Sequence, residues 1–252
     1  MKRFALIGGK LGHSFSPEIH KMLGDYIYEL KEAAREDLED LLGNKEYDGF
    51  NVTIPYKKTV MEYCNYIAPE AEKIGSVNVI VRDELGKLKG YNTDYYGFCY
   101  LVRKTGIEIK ESKCLVLGSG GTSATVRTAL SDMGAAEIVM ISRSGENNYD
   151  NIQNHNDADV IVNTTPVGMF PNIGVSMLDM DMFKQCKGVL DVIYNPVRTK
   201  LIEDAQARSI PASGGLAMLV AQAKKTSELF MGNSISDNKI ETILSAIEEE
   251  KN

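Results

Sequence analysis

The stretch KCLVLGSGGTSA, residues 113–124, decides the fold of this chain. An apolar run typical of a buried strand leads into three glycines, and a helical pattern follows them. Gly118 permits a tight turn, Gly120 lets a phosphate approach the backbone, and the next helix offers that phosphate its free N–H groups. Ser123 stands where a third glycine is usual. The flanking strand and helix favour a dinucleotide site over an ordinary glycine-rich turn.

The next strand along the chain bears on which dinucleotide binds. A site for NAD usually ends this strand with Asp or Glu, which hydrogen-bonds the ribose hydroxyls. Here the predicted strand Glu137–Ile141 runs into Ser142, Arg143 and Ser144, with no acid at its end. A guanidinium matches the geometry of a 2′-phosphate. Although a solvent-facing loop arginine is common, the missing acid favours NADP.

Short apolar runs alternate with helical patterns along most of the chain, which predicts the α/β class. Continuous Val/Ile/Leu runs are expected for strands buried on both faces of a mainly parallel sheet. The predicted strands are Phe4–Ile7, Tyr26–Leu30, Gly49–Thr53, Val77–Val81, Lys113–Leu117, Glu137–Ile141, Asp159–Val162 and Gly188–Val192. The predicted helices are Pro17–Leu23, Glu36–Leu42, Tyr56–Cys64, Asp94–Lys104, Ser123–Met133, Arg198–Arg208, Ala217–Met231 and Asp237–Glu249.

Composition excludes several classes of partner. With 28 basic and 35 acidic residues the formal charge is −7, which argues against nucleic acid or an anionic membrane as the main partner. No apolar run approaches a membrane span, and two glycines interrupt the first one too early for a signal peptide. Four scattered cysteines and only three histidines argue against a structural metal site. We therefore expect a cytoplasmic protein with reduced thiols.

The first polar motif of the N-terminal block is GHSFSP, residues 12–17. Ser14 and Ser16 lie two residues apart at a predicted helix start, so an extended segment would place both hydroxyls on one side. Two hydroxyls near a helix N-terminus suit a carboxylate ligand. The simpler interpretation is that Ser16 caps the helix. We expect His13 and His20 to have structural or supporting roles, and His155 to be exposed.

Two further motifs carry candidate acid–base chemistry. NVTIPYK, residues 51–57, predicts Asn51 and Thr53 on one face of a strand end, with Lys57 at a helix start, where the dipole disfavours a cation. Such a placement suits a lysine that transfers protons, although most lysines are simply exposed. GYNTDYYG, residues 90–97, contains Asp94, which is either a helix cap or the partner of that lysine.

Taken together, these motifs resemble the shikimate dehydrogenase family, which includes quinate dehydrogenases. They keep the order of the family and span nearly the whole chain. The set is specific although each motif alone is not. The residues that carry the resemblance are HSFSP (13–17), NVTIPYK (51–57), GSVN (75–78), NTD (92–94), GSGG (118–121) and MLVAQ (218–222).

The resemblance implies a substrate domain of residues 1–100 plus 217–252 and a Rossmann-like NADP domain of residues 101–216, with the active site in the cleft between them. It implies reversible hydride transfer between nicotinamide and one ring carbon of shikimate, which yields 3-dehydroshikimate and NADPH on oxidation. In this reaction Lys57 and Asp94 would be the catalytic pair.

The resemblance also implies the binding residues. Ser14, Ser16 and Tyr194 would bind the substrate carboxylate, and Asn51, Thr53, Asn78 and Gln222 would hold or support the ring hydroxyls beside Lys57 and Asp94. The implied cofactor-binding residues are Gly118, Ser119, Gly120, Gly121, Thr122, Ser142, Arg143, Thr164, Val192, Gly215 and Met218.

Two departures from the family leave alternatives open. Val79 stands where Thr is usual, a difference that concerns packing more than chemistry. A second basic residue is absent after Arg143, which leaves NAD open as the cofactor. The nearest rival is a quinate or mixed quinate/shikimate dehydrogenase using NAD, although Ser16 favours shikimate. A ligand sensor without catalysis is a third interpretation, which the presence of both Lys57 and Asp94 disfavours. The chain would act as a monomer or a homodimer on a small-molecule substrate.

Overall fold

A computed structural model describes residues 1–12 and 14–251, so the expectation for His13 lies outside the described residues. The strands are β1 (Arg3–Gly8), β2 (Ile27–Glu32), β3 (Gly49–Val52), β4 (Tyr66–Ile67), β5 (Val79–Arg82), β6 (Leu88–Tyr91), β7 (Lys113–Leu117), β8 (Glu137–Ile141), β9 (Val160–Asn163), β10 (Gly188–Asp191) and β11 (Ala212–Ser213). The helices are α1 (Ser16–Leu23), α2 (Leu38–Gly43), α3 (Pro69–Ile74), α4 (Thr93–Thr105), α5 (Gly121–Asp132), α6 (Lys200–Ala207), α7 (Leu216–Met231) and α8 (Asn238–Lys251).

Contacts divide the chain into two compact units. The first comprises Met1–Tyr96 and Val220–Asn252, and the second comprises Gly97–Leu219. Each unit has its own sheet and its own buried apolar core. Burying one large aliphatic or aromatic side chain contributes about 1.5–3 kcal/mol, so these cores are the main source of stability in both units.

The first unit contains a six-stranded sheet in the order β2-β1-β3-β5-β6-β4. Strands β2, β1 and β3 run parallel, whereas β5 is antiparallel to both β3 and β6. Strand β4 runs parallel to β6, so among the described residues the sheet is mainly parallel and β5 is its one antiparallel strand. The exception has a local reason, because a tight turn at Asp83–Lys87 joins β5 to β6, and such a short connection only permits antiparallel pairing.

The second unit contains a five-stranded sheet in the order β11-β10-β9-β7-β8, and every pair in it is parallel. This confirms the parallel, Rossmann-like expectation. Strand β8 pairs with one side of β7, whereas β9 and then β10 are added on the other side. The order in which strands are added therefore reverses between β8 and β9, next to β7. Ligands of open α/β sheets bind outside the carboxyl ends of strands at such a switch point.

Several predicted elements differ from the observed ones. The predicted helix Tyr56–Cys64 is only a 3-10 helix at Thr59–Tyr63, because Pro55 and a turn precede it. Helix α3 and strands β4, β6 and β11 had no counterpart among the predictions, since their apolar patterns are short. Among the described residues, no helix is both long and apolar enough to cross a membrane.

An aromatic cluster packs α1 against one side of the first sheet. Phe4 and Phe230 stack with centroids 3.9 Å apart, and Tyr26 meets Phe4 edge-on at 5.2 Å. His20 is fully buried beside them, stacks on Tyr28 at 3.9 Å, and its Nδ1 hydrogen-bonds the Tyr26 hydroxyl at 2.7 Å. The His20 Nε2 atom is buried without a hydrogen-bond partner. Burial therefore lowers the pKa of His20 from 6.5 to about 3, which keeps the ring neutral.

This buried histidine makes stability depend on pH. Between pH 6.5 and about 3 the unfolded chain binds a proton at His20 that the folded chain refuses, so the free energy of unfolding falls as pH falls. The contribution is at most about 1.4 kcal/mol per pH unit. We expect the stability advantage of the parent over His20→Asn to be largest above pH 6.5 and to shrink below it. Urea unfolding at pH 7, 6, 5 and 4 measures this, and a constant difference would contradict it.

Candidate active site

The strongest polar contact at the predicted site joins Lys57 to Asp94. The Lys57 Nζ atom lies 2.6 Å from Asp94 Oδ2, and the two side chains are only 18% and 13% exposed. Lys57 lies in the turn after β3, whereas Asp94 is the second residue of α4. The structure therefore brings together two residues that are 37 positions apart. The pair can accept, hold and return a proton beside a bound ligand.

Neighbouring residues leave both side chains available for this contact. Asn92 Oδ1 accepts the Tyr95 N–H at 3.2 Å and so caps α4, which means that Asp94 does not cap it. The Lys57 carbonyl accepts the Val77 N–H at 2.8 Å, which holds the turn against the segment that precedes β5. Lys57 begins no α-helix, so the expected effect of a helix dipole on it was wrong. Its carboxylate partner is what defines its environment.

A buried hydrogen-bond network lies in the same unit. Asn51, Asn78 and Gln222 are all buried, as are Thr93 and Thr226. The Thr93 hydroxyl lies 2.9 Å from Thr226 Oγ1 and 3.4 Å from Gln222 Oε1, and the Thr93 N–H donates to Asn78 Oδ1 at 2.7 Å. Asn51 Nδ2 lies 3.4 Å from the Asn78 carbonyl and 3.5 Å from Thr226 Oγ1.

The sequence motifs did not identify three members of this network. Thr93 was passed over between Asn92 and Asp94, and Thr226 lies one helical turn after Gln222, a spacing that places both on one face of α7. Tyr28 of β2 donates a hydrogen bond to Asn51 Oδ1 at 2.8 Å. Burial and the nearby Tyr26 raise the pKa of Tyr28 well above its usual value, and a hydrogen bond from Ser16 opposes this rise.

The two serines of the first motif lie at the start of α1. Ser16 is the first residue of the helix and is buried, whereas Ser14 precedes it and is half-buried. The Ser14 hydroxyl accepts the Ser16 N–H at 3.2 Å, so Ser14 and not Ser16 satisfies a backbone group here. The capping interpretation of Ser16 was therefore wrong. Thr53 follows β3, is half-buried, and donates its N–H to the Ile7 carbonyl at 2.9 Å.

The glycine turn of the second unit follows β7 at the switch point. Gly118 has φ +110°, and a side chain there would collide with Thr164, whose hydroxyl hydrogen-bonds the Leu117 carbonyl at 2.6 Å. By contrast, Gly120 and Gly121 face open space at the start of α5, where no side chain caps the helix. The N–H groups of a first helical turn beside open space fit the pyrophosphate of a dinucleotide.

Strand β8 ends without an acid, as predicted, and its loop carries one cation. Arg143 is exposed, and Ser142 is half-buried with its N–H donated to the Asn147 carbonyl at 3.2 Å. His155 was expected to be exposed but is half-buried, because its ring contacts Asn147 Oδ1 at 3.0 Å. The exposed guanidinium beside an ordered loop fits the 2′-phosphate of NADP.

The remaining predicted residues follow β10 in the second unit. Gly215 packs directly on the backbone of Val192 and donates its N–H to the Ile193 carbonyl at 2.7 Å. Met218 is buried on α7, and Tyr194 is half-buried. Burial raises the pKa of the Tyr194 hydroxyl, so this side chain stays a neutral donor at physiological pH.

A carboxylate that the motifs did not single out holds this region together. Asp191 is fully buried at the end of β10. Its side chain accepts hydrogen bonds from Asn163 Nδ2 at 3.0 Å, the Ile193 N–H at 3.0 Å and the Thr199 hydroxyl at 2.8 Å. Burial raises the pKa of Asp191, and these three donors oppose the rise. Asp191 thereby connects the ends of β9 and β10 to the segment that carries Tyr194.

Comparison with known proteins gives the family. Residues 6–80 match the family described as shikimate dehydrogenase substrate binding domain. A protein of Clostridium beijerinckii named shikimate dehydrogenase (NADP(+)) is 36% identical, and the match covers 99% of each chain. The chain belongs to the shikimate dehydrogenase family. This confirms the family that the motifs resemble.

Solved structures of shikimate dehydrogenases have the same fold. A chorismate mutase/shikimate 5-dehydrogenase fusion protein from Clostridium acetobutylicum is similar at a TM-score of 0.94 and 37% identity, covering 99% of this chain and 98% of that one. Shikimate 5-dehydrogenase of Thermus thermophilus, in complex with NADP(H) and shikimate, is similar at 0.87 and 28%, covering 96% and 98%.

The fold alone does not separate shikimate from quinate dehydrogenases. Quinate dehydrogenase of Corynebacterium glutamicum in complex with NAD is similar at a TM-score of 0.87 and 25% identity, covering 97% of this chain and 99% of that one. Within this family, specificity therefore has to be argued from individual side chains and tested with substrates.

We expect replacement by alanine to affect stability differently at Gly118 and at Gly121. In Gly118→Ala the side chain would meet Thr164 Oγ1 at 2.7 Å and the backbone would be strained at φ +110°, so we expect a loss of about 1–3 kcal/mol in the free energy of unfolding. Gly121→Ala meets nothing within 4 Å and should leave stability unchanged or slightly raised. Urea unfolding of both variants tests this, and equal stabilities would contradict the account.

Proposed function

We propose that this chain is an NADP-dependent shikimate dehydrogenase, which reversibly oxidises shikimate to 3-dehydroshikimate in aromatic amino-acid and chorismate biosynthesis. The observation that carries the proposal is the Lys57–Asp94 pair beside the Asn51, Asn78 and Gln222 network. Relatives that match nearly the whole chain bear the same activity in their names.

The binding roles follow from the chemistry of the side chains. Ser14 and Ser16, with the neutral hydroxyl of Tyr194, are donors suited to the substrate carboxylate. Asn51, Thr53, Asn78 and Gln222 present amide and hydroxyl groups suited to ring hydroxyls. Because most of these groups are buried and already hydrogen-bonded to one another, their orientations are set before a ligand arrives.

The catalytic step divides between cofactor and protein. NADP, when bound, supplies the site that accepts the hydride. As the carbon gives up hydride, its hydroxyl must lose a proton. The Lys57–Asp94 pair would take that proton, with Nζ passing one of its own protons to Asp94 Oδ2 as it accepts the proton of the hydroxyl, and the reverse reaction returns it. Asp94 Oδ2 holds the Lys57 ammonium at 2.6 Å, which fixes the position of Nζ and balances its charge. The network residues hold the ring so that a single hydroxyl faces Nζ.

The cofactor residues proposed here all belong to the second unit. Gly118, Ser119, Gly120, Gly121 and Thr122 would receive the pyrophosphate at the start of α5. Ser142 and Arg143 would receive the 2′-phosphate, and Thr164, Val192, Gly215 and Met218 would contact the rest of the cofactor. We accordingly assign residues 101–216 as the NADP domain and residues 1–100 plus 217–252 as the substrate domain of a cytoplasmic enzyme.

The proposal is tested by following nicotinamide reduction by absorbance in the purified protein. Shikimate and quinate are each offered with NADP and with NAD. We expect the highest kcat/KM with shikimate and NADP. A preference for quinate with NAD would instead identify the chain as a quinate dehydrogenase, like the similar protein of Corynebacterium glutamicum. Absence of turnover in a folded protein that still binds shikimate would favour a sensor.

Removing the lysine tests the proton transfer. We expect Lys57→Ala to lower kcat for shikimate by about 10²- to 10⁴-fold, the usual contribution of a positioned acid–base group. The matched control is Lys58→Ala, because Lys58 is the exposed neighbour in the same turn. Steady-state kinetics of both variants decide the matter. If Lys57→Ala turned over as fast as Lys58→Ala, the assigned mechanism would be wrong.

Removing the Arg143 guanidinium, in the loop after β8, tests the choice of cofactor. We expect Arg143→Ala to raise KM for NADP at least about tenfold, because a charge-assisted contact to the 2′-phosphate is lost. KM for NAD, which lacks that phosphate, should stay within about twofold. Parallel titrations with the two cofactors measure this. Equal changes in KM for the two cofactors would show that Arg143 does not bind the 2′-phosphate.

A further inference from the structure

Tyr28 occupies a position that the proposed mechanism does not use. It lies in β2, and its hydroxyl reaches Asn51 Oδ1 at 2.8 Å. Asn51 is buried and lies in β3, two strands away from β2 in the sheet order. Tyr28 is therefore in direct contact with a residue assigned to the ring-hydroxyl network.

The donor and acceptor pattern fixes the direction of this hydrogen bond. The Asn78 carbonyl can only accept, so the Asn51 atom that faces it must be the Nδ2 donor. Asn51 Oδ1 then faces Tyr28, and the phenol must donate its proton to it. Because a phenol carries one proton, the Tyr28 oxygen is left with lone pairs only. Any further hydroxyl that bonds to it must act as the donor.

The phenol therefore holds one end of the Asn51 amide, and the other end of that amide faces the Asn78 carbonyl at 3.4 Å. Asn51 is a residue assigned to the ring-hydroxyl network.

The phenol is held in place by its packing. The Tyr28 ring stacks on the His20 ring at 3.9 Å with an interplanar angle of 9°. His20 is fully buried and neutral, and its Nδ1 is engaged by Tyr26 at 2.7 Å. The titratable groups that face Tyr28 in this cluster are thus uncharged, so the orientation of the phenol does not depend on a nearby charge.

We propose that Tyr28 is a positioning residue for the substrate, which orients the Asn51 amide through its phenol hydroxyl. The inference rests on the proposed function. Without that hydroxyl, Asn51 Oδ1 loses its donor and the orientation of the amide is no longer fixed. Substrate binding should weaken, whereas the Lys57–Asp94 pair and the cofactor residues should be unaffected.

The test compares two tyrosine variants of the same cluster. Tyr28→Phe keeps the ring and the stack on His20 but removes the hydroxyl. We expect it to raise KM for shikimate about tenfold, while kcat stays within about threefold and KM for NADP within about twofold. Tyr26→Phe is the matched control, since its hydroxyl binds His20 and none of the residues assigned to substrate. It should lower stability without changing either KM.

A double-mutant cycle separates positioning from a general loss of packing. If Tyr28 acts through Asn51, the KM of the double variant Tyr28→Phe/Asn51→Ala should be clearly lower than the product of the two single effects predicts. The unfolding midpoint of each variant is measured as well, to check that each kinetic constant belongs to folded protein. Asn51→Ala also provides a second variant if Tyr28→Phe folds poorly, because the shikimate KM of Asn51→Ala should then rise by a similar factor.

The outcomes distinguish this inference from the function on which it rests. No turnover of shikimate by the parent protein would overturn the proposed function. An active parent, with the KM of Tyr28→Phe unchanged or raised equally in Tyr26→Phe, would overturn the role of Tyr28 alone. Strictly multiplicative effects of Tyr28→Phe and Asn51→Ala would also overturn it.

Discussion

The contact between Lys57 and Asp94 is the interaction on which the proposed chemistry depends. Bringing two largely buried charges together costs solvation, and that cost is offset only when geometry is good and the neighbours are satisfied. Here the Nζ–Oδ2 distance is 2.6 Å, and the Lys57 carbonyl is hydrogen-bonded to the segment that precedes β5. Asn92 caps α4, so the Asp94 carboxylate is not needed as the cap. A pair held in this way can exchange a proton with a hydroxyl without first reorganising.

The network around the pair has a complementary role. Thr93 connects Asn78 to Gln222 and Thr226, and Asn51 connects the same group to Tyr28. Buried polar groups that already satisfy one another strengthen each other and allow few alternative arrangements. Such a network presents fixed donors and acceptors to a polyhydroxylated ring. An analogue with a missing or additional hydroxyl would leave some of these groups unpaired, which is how polar sites discriminate between substrates.

Local features of the fold could be predicted from sequence, whereas contacts between distant segments could not. Strands β7 and β8 and the turn at Gly118 follow from an apolar run and a glycine whose neighbours in sequence determine its conformation. The Lys57–Asp94 contact instead depends on how β3 and α4 pack, and no spacing rule predicts that. From the sequence, Tyr28 is an ordinary tyrosine of a strand, because none of its neighbours in sequence indicates that its hydroxyl reaches Asn51.

The central claim, that Lys57 and Asp94 act as one acid–base unit, is tested most directly by a double-mutant cycle on kcat. Lys57→Ala, Asp94→Ala and the double variant are compared at saturating shikimate and NADP, with folding checked for each. Groups that act as a unit lose most of their effect with the first substitution, so the account predicts that the double variant is about as slow as the slower single one. Losses that multiply, or a single variant with the parent kcat, would contradict it.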